Sequence, residues 1–329
     1  MFNNMSFQDA QQSALNFLVS QLSVIEPQVY RIQYPDIQYP NLIPVDTSGN
    51  EWAKSVTFFS QDEVGQADWF HHMANDVPLA DVTREKHEVG IEMAAIGYHY
   101  TLEELGQMAM VPGTNLPTDR ASAARRAYEE FVDGIALRGQ PNANNTAKGW
   151  KGLINEPSVT VTTVQADGNG NSTTWSNKTG DQIIRDVNAG ITGVYTESLT
   201  VEMADTVLLP VALFTLLGST PRGPNTDVSV LEWLMRYNVY TAQTKQPLTI
   251  RAVRGLETAA GDGGGRMVVY RNDPQVLKLR IPMPHRFLQV WQRGPLRFDV
   301  PGIFRLAPLE IRRPKAIRYV DGIMDAPYE

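Results

Sequence analysis

The stretch TDRASAARRAYEEFVDGIALRG, residues 118–139, carries the strongest helical pattern of the chain. Its apolar residues recur every three or four positions, as they do on one face of an α-helix: Ala121, Ala124, Tyr128, Phe131 and Ile135. Gly139 stands where a glycine commonly ends a helix, because glycine adopts the left-handed conformation without strain. We therefore predict a continuous helix over 118–138, a rod of roughly 30 Å.

Upstream of this helix, the sequence predicts a long hairpin. Residues 51–60 and 82–100 have the apolar alternation of strands, and the polar, acidic residues 61–81 join them as a loop. Two strands alone are marginally stable in water, so the hairpin needs a surface on which to lie. A capping box from Thr101 to Glu104 then opens a short helix that ends near Met110.

The first 50 residues have little apolar surface with which to build a core. A short amphipathic helix is predicted over 6–23, and prolines at 27, 35, 40 and 44 predict an extended arm over 24–50. Aromatic side chains with a polar edge accompany this arm, at Tyr34, Tyr39 and Trp52. The arm could dock on the chain's own domain or on another chain.

Downstream of residue 139, helical and strand patterns alternate, which predicts an α+β fold. A second capping box, from Thr179 to Gln182, opens a helix that turns four apolar residues inward: Ile183, Val187, Ile191 and Val194. The segments that follow are a strand over 206–209, helices over 211–217 and 227–241, a strand over 248–253 and a β-rich, proline-containing region from 267 onwards.

No set of residues with the spacing of a catalytic centre occurs. The chain has 329 residues and no cysteine, which excludes disulfides, thiolate nucleophiles and zinc–thiolate sites. The glycine run 261–265 lacks the Gly-Lys-Ser/Thr ending of a phosphate-binding loop, and His71 and His72 point apart if extended. We therefore predict no catalytic residue, no cofactor and no metal, and the apolar stretches predict neither a membrane span nor a secretory signal.

Charge is distributed unevenly along the chain. Residues 1–110 hold four basic and fifteen acidic side chains, whereas residues 271–329 hold eleven basic and six acidic ones. The net charge of −7 argues against a general nucleic-acid binder. The gradient suits a chain whose acidic front packs on a neighbour's basic back, although a solvated acidic face or a phosphate-facing basic run also fits it. The candidate contacts are Asp62, Glu63 and Asp68 in front and Arg312, Arg313 and Lys315 behind.

The order of these elements resembles the major capsid proteins of tailed bacteriophages, which have the Hong Kong 97-type fold. The arm 24–50, the hairpin 51–100 and the helix 118–138 match the N-arm, the E-loop and the spine helix of that family. The run Gly152-Leu153-Ile154-Asn155 resembles the Gly-Leu-x-Asn stretch that often follows the spine. The resemblance implies an N-terminal helix and arm over 1–50, an E-loop over 51–100, the spine and first part of the peripheral (P) domain over 101–174, an axial (A) domain over 175–270 and a return to the P domain over 271–329.

The resemblance also implies a function. The chain is expected to be a structural subunit that self-assembles into hexamers and pentamers of an icosahedral phage head in the virion. The head would enclose double-stranded DNA without sequence-specific binding, be assembled in the host cytoplasm, and have portal, scaffolding and decoration proteins as further partners. The aromatic arm and the acidic and basic candidates would then form contacts between subunits. Two alternatives are an encapsulin-type nanocompartment shell, which has the same fold, and a soluble hydrolase that uses carboxylates.

Overall fold

The computed structural model describes residues 36–65, 67, 69, 79–108, 116–140, 148–223 and 226–326. Its α-helices are Tyr39–Leu42 (α1), Leu102–Met108 (α2), Leu116–Arg138 (α3), Gly180–Glu197 (α4), Val211–Ser219 (α5), Val230–Arg236 (α6) and Val239–Thr244 (α7). Its strands are Val45–Asp46 (β1), Ser55–Val64 (β2), Asp81–Gly90 (β3), Glu92–Ala95 (β4), Tyr98–Thr101 (β5), Thr160–Thr163 (β6), Thr206–Leu209 (β7), Thr249–Ala252 (β8), Gly265–Tyr270 (β9), Leu277–Arg280 (β10), Met283–Phe287 (β11), Trp291–Gln292 (β12), Arg297–Val300 (β13), Gly302–Leu306 (β14), Leu309–Ile311 (β15) and Ile317–Met324 (β16).

Helix α3 is the long helix predicted from residues 118–139, and it begins two residues earlier. It buries Tyr128, Val132 and Ile135 against the C-terminal strands, while Phe131, predicted in the same stripe, remains exposed. Gly139 ends the helix with a φ of 71°, as its position predicted. The Asn155 side chain closes this end, because its Nδ2 donates to the carbonyl of Arg138 at 2.8 Å.

The arm docks on this helix within its own chain. Residues 39–42 form one helical turn, which differs from the extended conformation predicted for 24–50. Asp133 of α3 causes the difference, since its Oδ1 accepts hydrogen bonds from the backbone N–H groups of Gln38 and Tyr39 at 2.9 Å each. Strand β1 then pairs in parallel with β10. The predicted helix over 6–23 lies outside the described residues.

A five-stranded sheet, in the order β6-β16-β9-β7-β8, combines four strands from residues 160–270 with the C-terminal strand β16. Helix α4 packs on it and buries the four apolar residues that its pattern predicted, Ile183, Val187, Ile191 and Val194. The capping box is present, with the Thr179 N–H donating to Gln182 Oε1 at 2.7 Å. The prediction of a continuous helix over 227–241 was wrong. Helix α6 ends at Arg236, and the side chain of Asn238 caps α7 by accepting from the Thr241 N–H at 2.8 Å.

The hairpin forms with ten paired residues on each strand, from Ser55 opposite Gly90 to Val64 opposite Asp81. The single strand predicted over 82–100 divides into three, because only its first part pairs with β2. Strand β4 pairs with β14, and β5 pairs with β13. Gly97 permits this second crossing, since a Cβ there would lie 2.3 Å from the carbonyl oxygen of Val300. The hairpin is thereby anchored to the C-terminal strands of its own chain.

Candidate assembly surfaces

The outer half of the hairpin presents two chemically different faces. Side chains of paired strand residues share a face, and successive residues point to opposite faces. One face, called the acidic face below, carries Asp62, Val64, Asp81 and Glu85. The opposite face, called the mixed face, carries Glu63, Val82 and Arg84, with Lys86 and Glu88 nearer the base. The structure therefore separates Asp62 from Glu63, which were predicted as one group.

The base of the acidic face contacts the C-terminal part of the same chain. Phe58 stacks on His87 with their ring centroids 5.1 Å apart. The guanidinium of Arg312 lies over the Phe58 ring, 4.7 Å from its centroid. Arg312 also bonds Glu310 at 3.2 Å, and Arg280 approaches the same carboxylate at 2.6 Å. Arg312, predicted to meet a neighbour, thus has its partners inside its own subunit.

The rest of the predicted basic run has mixed surroundings. Arg313 forms an ion pair with Glu202, a carboxylate that Arg271 also contacts at 3.2 Å. Lys315 is exposed and makes no ion pair within the part of the chain that the structure describes. Of the three residues, Lys315 is the one without an ion pair among the described residues, whereas Arg313 is exposed but paired. The run as a whole is partly an intramolecular network, which the residue types alone could not reveal.

An apolar cleft borders Lys315, and it was not predicted. Its volume is about 300 Å³, and it is lined by Ser198, Val201, Glu202, Arg313, Pro314, Lys315 and Ala316. We call it the Lys315 cleft. Leu199 and Thr200 at its rim have left-handed φ angles of 55° and 67°, which non-glycine residues adopt rarely. In this conformation Leu199 is 80% exposed and Val201 is 70% exposed. The sequence signal was the apolar pair around Thr200, directly after the end of helix α4.

Of the remaining residues predicted to contact another subunit, Tyr39 is buried and Trp52 is exposed. Tyr39 was predicted to face another subunit, but it is only 6% exposed and its hydroxyl donates to Glu129 at 2.8 Å. Tyr39 is therefore an internal anchor of the arm, because helix α3 supplies a matching apolar and polar surface. Trp52 is exposed at the base of the hairpin. Tyr34 and Asp68 lie outside the described residues.

The charged groups near the hairpin's exit stabilise its connection to α3. Glu104 closes the predicted capping box, accepting from the Thr101 N–H at 3.0 Å. Arg120 of α3 bonds the same carboxylate at 3.0 Å. The hydrogen bond from Arg120, followed by that from Thr101, lowers the pKa of Glu104 from its ordinary 4.5 to about 2. Glu104 thus stays ionised and ties α2 to the long helix.

The described residues offer neither a metal site nor a membrane-spanning helix. Across the described ranges, no three histidine, aspartate or glutamate side chains lie close enough together to hold a metal ion. Among the helices that the structure describes, none has the length and apolar character that crossing a bilayer requires. The prominent surfaces of the described chain are the hairpin faces and the exposed apolar clefts.

The chain is similar to known viral capsid proteins both in sequence family and in structure. The family model described as major capsid protein matches residues 65–323. The chain is similar in structure to the capsid of Myoviridae phage XM1, with a TM-score of 0.76 and 21% identity over 92% of this chain and 97% of that one. It is also similar to a chain from Mycobacterium phage Bobi, with a TM-score of 0.59 and 12% identity over 99% and 100% of the two chains. Among curated proteins, no sequence matches it. These structural likenesses show the Hong Kong 97-type α+β fold that the order of elements predicted.

Proposed function

The chain belongs to the major capsid protein family, and from this premise we propose that its copies form the hexamers and pentamers of an icosahedral phage head. The protein is a structural subunit of a viral capsid that associates with itself. In the proposed head it has no catalytic role, and the shell encloses double-stranded DNA without reading its sequence. We propose assembly in the host cytoplasm, with portal, scaffolding and decoration proteins as further partners. Family membership favours this subunit over a nanocompartment shell or a hydrolase.

The proposed domain boundaries are those implied by the sequence: arm to residue 50, E-loop to 100, spine and first P-domain part to 174, A domain to 270, and P-domain return to 329. Two clusters of buried apolar residues support them in part, since strand β9 contributes to both clusters and the central sheet includes β6 and β16 from the P-domain ranges. One cluster joins the arm, helix α3 and the C-terminal strands, as expected of a P domain. The other joins helices α4, α5 and α6 on the central sheet, as expected of an A domain.

The observation that carries the proposal is the hairpin of β2 and β3. From Ser60 to Val64 and from Asp81 to Glu88, every residue is exposed. An isolated two-stranded hairpin is marginally stable in water, so a ten-pair hairpin that projects from its own subunit requires a partner. In a shell of identical subunits, the next copy supplies that partner, and head-to-tail contacts of this kind close into rings.

The proposal is tested by sedimentation and electron microscopy of the purified protein. We expect closed particles, and particles made in cells with packaging machinery should contain DNA and no enzyme cargo. Replacing residues 61–81 by a two-residue turn should leave the central domain folded, as judged by circular dichroism, but stop particle formation. Intact shells from the shortened chain would contradict the role of the hairpin. A stable monomer from the complete chain would contradict the proposed assembly itself.

A further inference from the structure

We propose that the acidic face of the hairpin, and not its mixed face, docks in the Lys315 cleft of a second copy of the chain. This inference rests on the proposed function and deepens it, because it specifies which face binds and which surface receives it.

The two faces differ in net charge. The outer half of the acidic face has Asp62, Asp81 and Glu85, and no lysine or arginine occupies a position on that face within the ten pairs. On the mixed face, Arg84 donates to Gln61, which in turn donates to Glu63, and Lys86 pairs with Glu88 at 3.6 Å. The mixed face is therefore nearly neutral, whereas the acidic face attracts a cationic surface.

The acidic face already contacts protein at its base. Phe58 is on this face and lies under Arg312 of the same chain. Arg312 directly precedes Arg313, which lines the Lys315 cleft. The cleft of a subunit is thus close to the base of its own hairpin. Val64 is six residues beyond Phe58, a distance of about 20 Å along a strand, and every residue of this outer half is exposed and so accessible to another copy.

The cleft has the chemistry that the outer acidic face requires. Lys315 supplies a cation without an ion pair in the described chain, and Pro314 and Val201 supply apolar walls. The acidic face supplies carboxylates around Val64, which is 58% exposed. In the proposed contact, apolar side chains form the centre and charged side chains form the rim, as in protein interfaces generally. In a single subunit, the left-handed backbone at Leu199 and Thr200 leaves the side chains of Leu199 and Val201 exposed to solvent.

Cysteine crosslinking tests the proposal directly, because the natural chain has no cysteine. The test variant is V64C/V201C, and the matched control is V82C/V201C, since Val82 is an exposed valine on the mixed face. Assembled particles are treated with mild oxidant, or with a short bismaleimide, and separated by denaturing electrophoresis. We expect a ladder of covalent oligomers up to hexamers from the test variant and its loss in the control. A ladder from the control alone, equal ladders, or none from either variant would overturn the docking.

If a cysteine variant does not assemble, exchanging the charges of the two surfaces tests the same docking. D62K should abolish particles, E63K should leave them intact, and D62K combined with K315E should restore them. Equal effects of D62K and E63K would overturn the choice of face, and failure of K315E to rescue would overturn the cleft. If the unmodified chain forms no shells, the proposed function itself fails. If shells form and the crosslink and rescue fail, only the docking is wrong.

Discussion

The guanidinium of Arg312 lies 4.7 Å from the ring centroid of Phe58, so the C-terminal basic run holds the base of the hairpin in its own subunit. A cation above an aromatic ring at a partly exposed site contributes about 0.5–1 kcal/mol. The contact orients the hairpin before any partner is present. It also means that reversing Arg312 and Arg313 together would disturb the subunit as well as its assembly, which is why Lys315 is the cleaner residue to test.

Replacing Arg312 by alanine should loosen the hairpin's base without unfolding the core. The change removes the contact with Phe58, and Glu310 keeps Arg280 as its partner at 2.6 Å. We expect faster hydrogen–deuterium exchange in residues 55–58 and 87–90, with protection of the central sheet unchanged. Arg293→Ala is the control, because Arg293 is largely exposed and its ion pair is with Asp299, which is outside the hairpin. Unchanged exchange at the base in the Arg312 variant would show that the ring contact does not orient the hairpin.

Replacing Ala124 by proline should destroy the long helix. Ala124 is buried in the interior of α3, where proline removes a backbone hydrogen bond and clashes with the preceding turn at a cost of about 3 kcal/mol or more. We expect insoluble or unassembled protein, measured as the yield of sedimenting particles. Ala124→Gly is the matched control and should cost only about 1 kcal/mol. A normal yield from the proline variant would mean that shell formation tolerates a broken helix.

Acid should release α2 from α3 through Glu104. Its pKa in the folded chain is about 2, below its ordinary 4.5, chiefly because Arg120 donates to it. The ionised carboxylate therefore stabilises the folded state above pH 4.5, and this contribution is lost as the pH falls towards 2. We expect the protection factors of residues 102–108, which correct for the pH dependence of intrinsic exchange, to fall over that window. In Glu104→Gln these protection factors should be low already at neutral pH and should vary little with acid; an unchanged acid response there would assign the effect to another group.

Removing one member of the buried Arg266–Asp321 pair should strongly destabilise the subunit. Arg266 bonds both carboxylate oxygens of Asp321, at 2.7 and 2.8 Å, and also donates to the carbonyl of Ile154 at 2.9 Å. Arg266→Met leaves a buried carboxylate without its cation, at a cost of about 3–5 kcal/mol. Urea denaturation measures the loss in the free energy of unfolding.

Two controls accompany this variant. R266M combined with D321L should lose less than R266M alone, because no uncompensated charge remains. Arg236→Met breaks only an exposed pair with Glu232 and should cost less than about 1 kcal/mol. Equal losses in the single and double variants would show that the packing of Arg266, and not its charge, stabilises the site.

Residues close in sequence determined much of this protein. Three helices are specified by interactions within a turn or two. For the long helix the signals are the spacing of apolar residues in 118–139 and the glycine at its end. For the other two they are the capping boxes at 101–104 and 179–182. The alternation in 51–60 and 82–100 predicts the two strands of a hairpin. Their observed pairing over 55–64 and 81–90 includes residues 61–64, which were predicted as loop, because each strand is completed by contacts with the other. The order of these elements resembled that of the tailed-phage capsid proteins, and the family match and the structural likenesses confirm this resemblance.

The tertiary structure decided what depends on partners far apart in the chain. The division of 82–100 among three partners follows from strands at 297–306, and the burial of Tyr39 follows from Glu129 and Asp133 on the long helix. Strand register decided that Asp62 and Glu63 face opposite ways. Arg312 and Arg313 also have partners within the subunit, Phe58 and Glu310 for the first and Glu202 for the second. The sequence alone could not predict these contacts. The charge and hydrophobicity of a residue indicate what kind of partner it needs, but several residues of that kind are available. Only the folded chain shows which of them lies within contact distance.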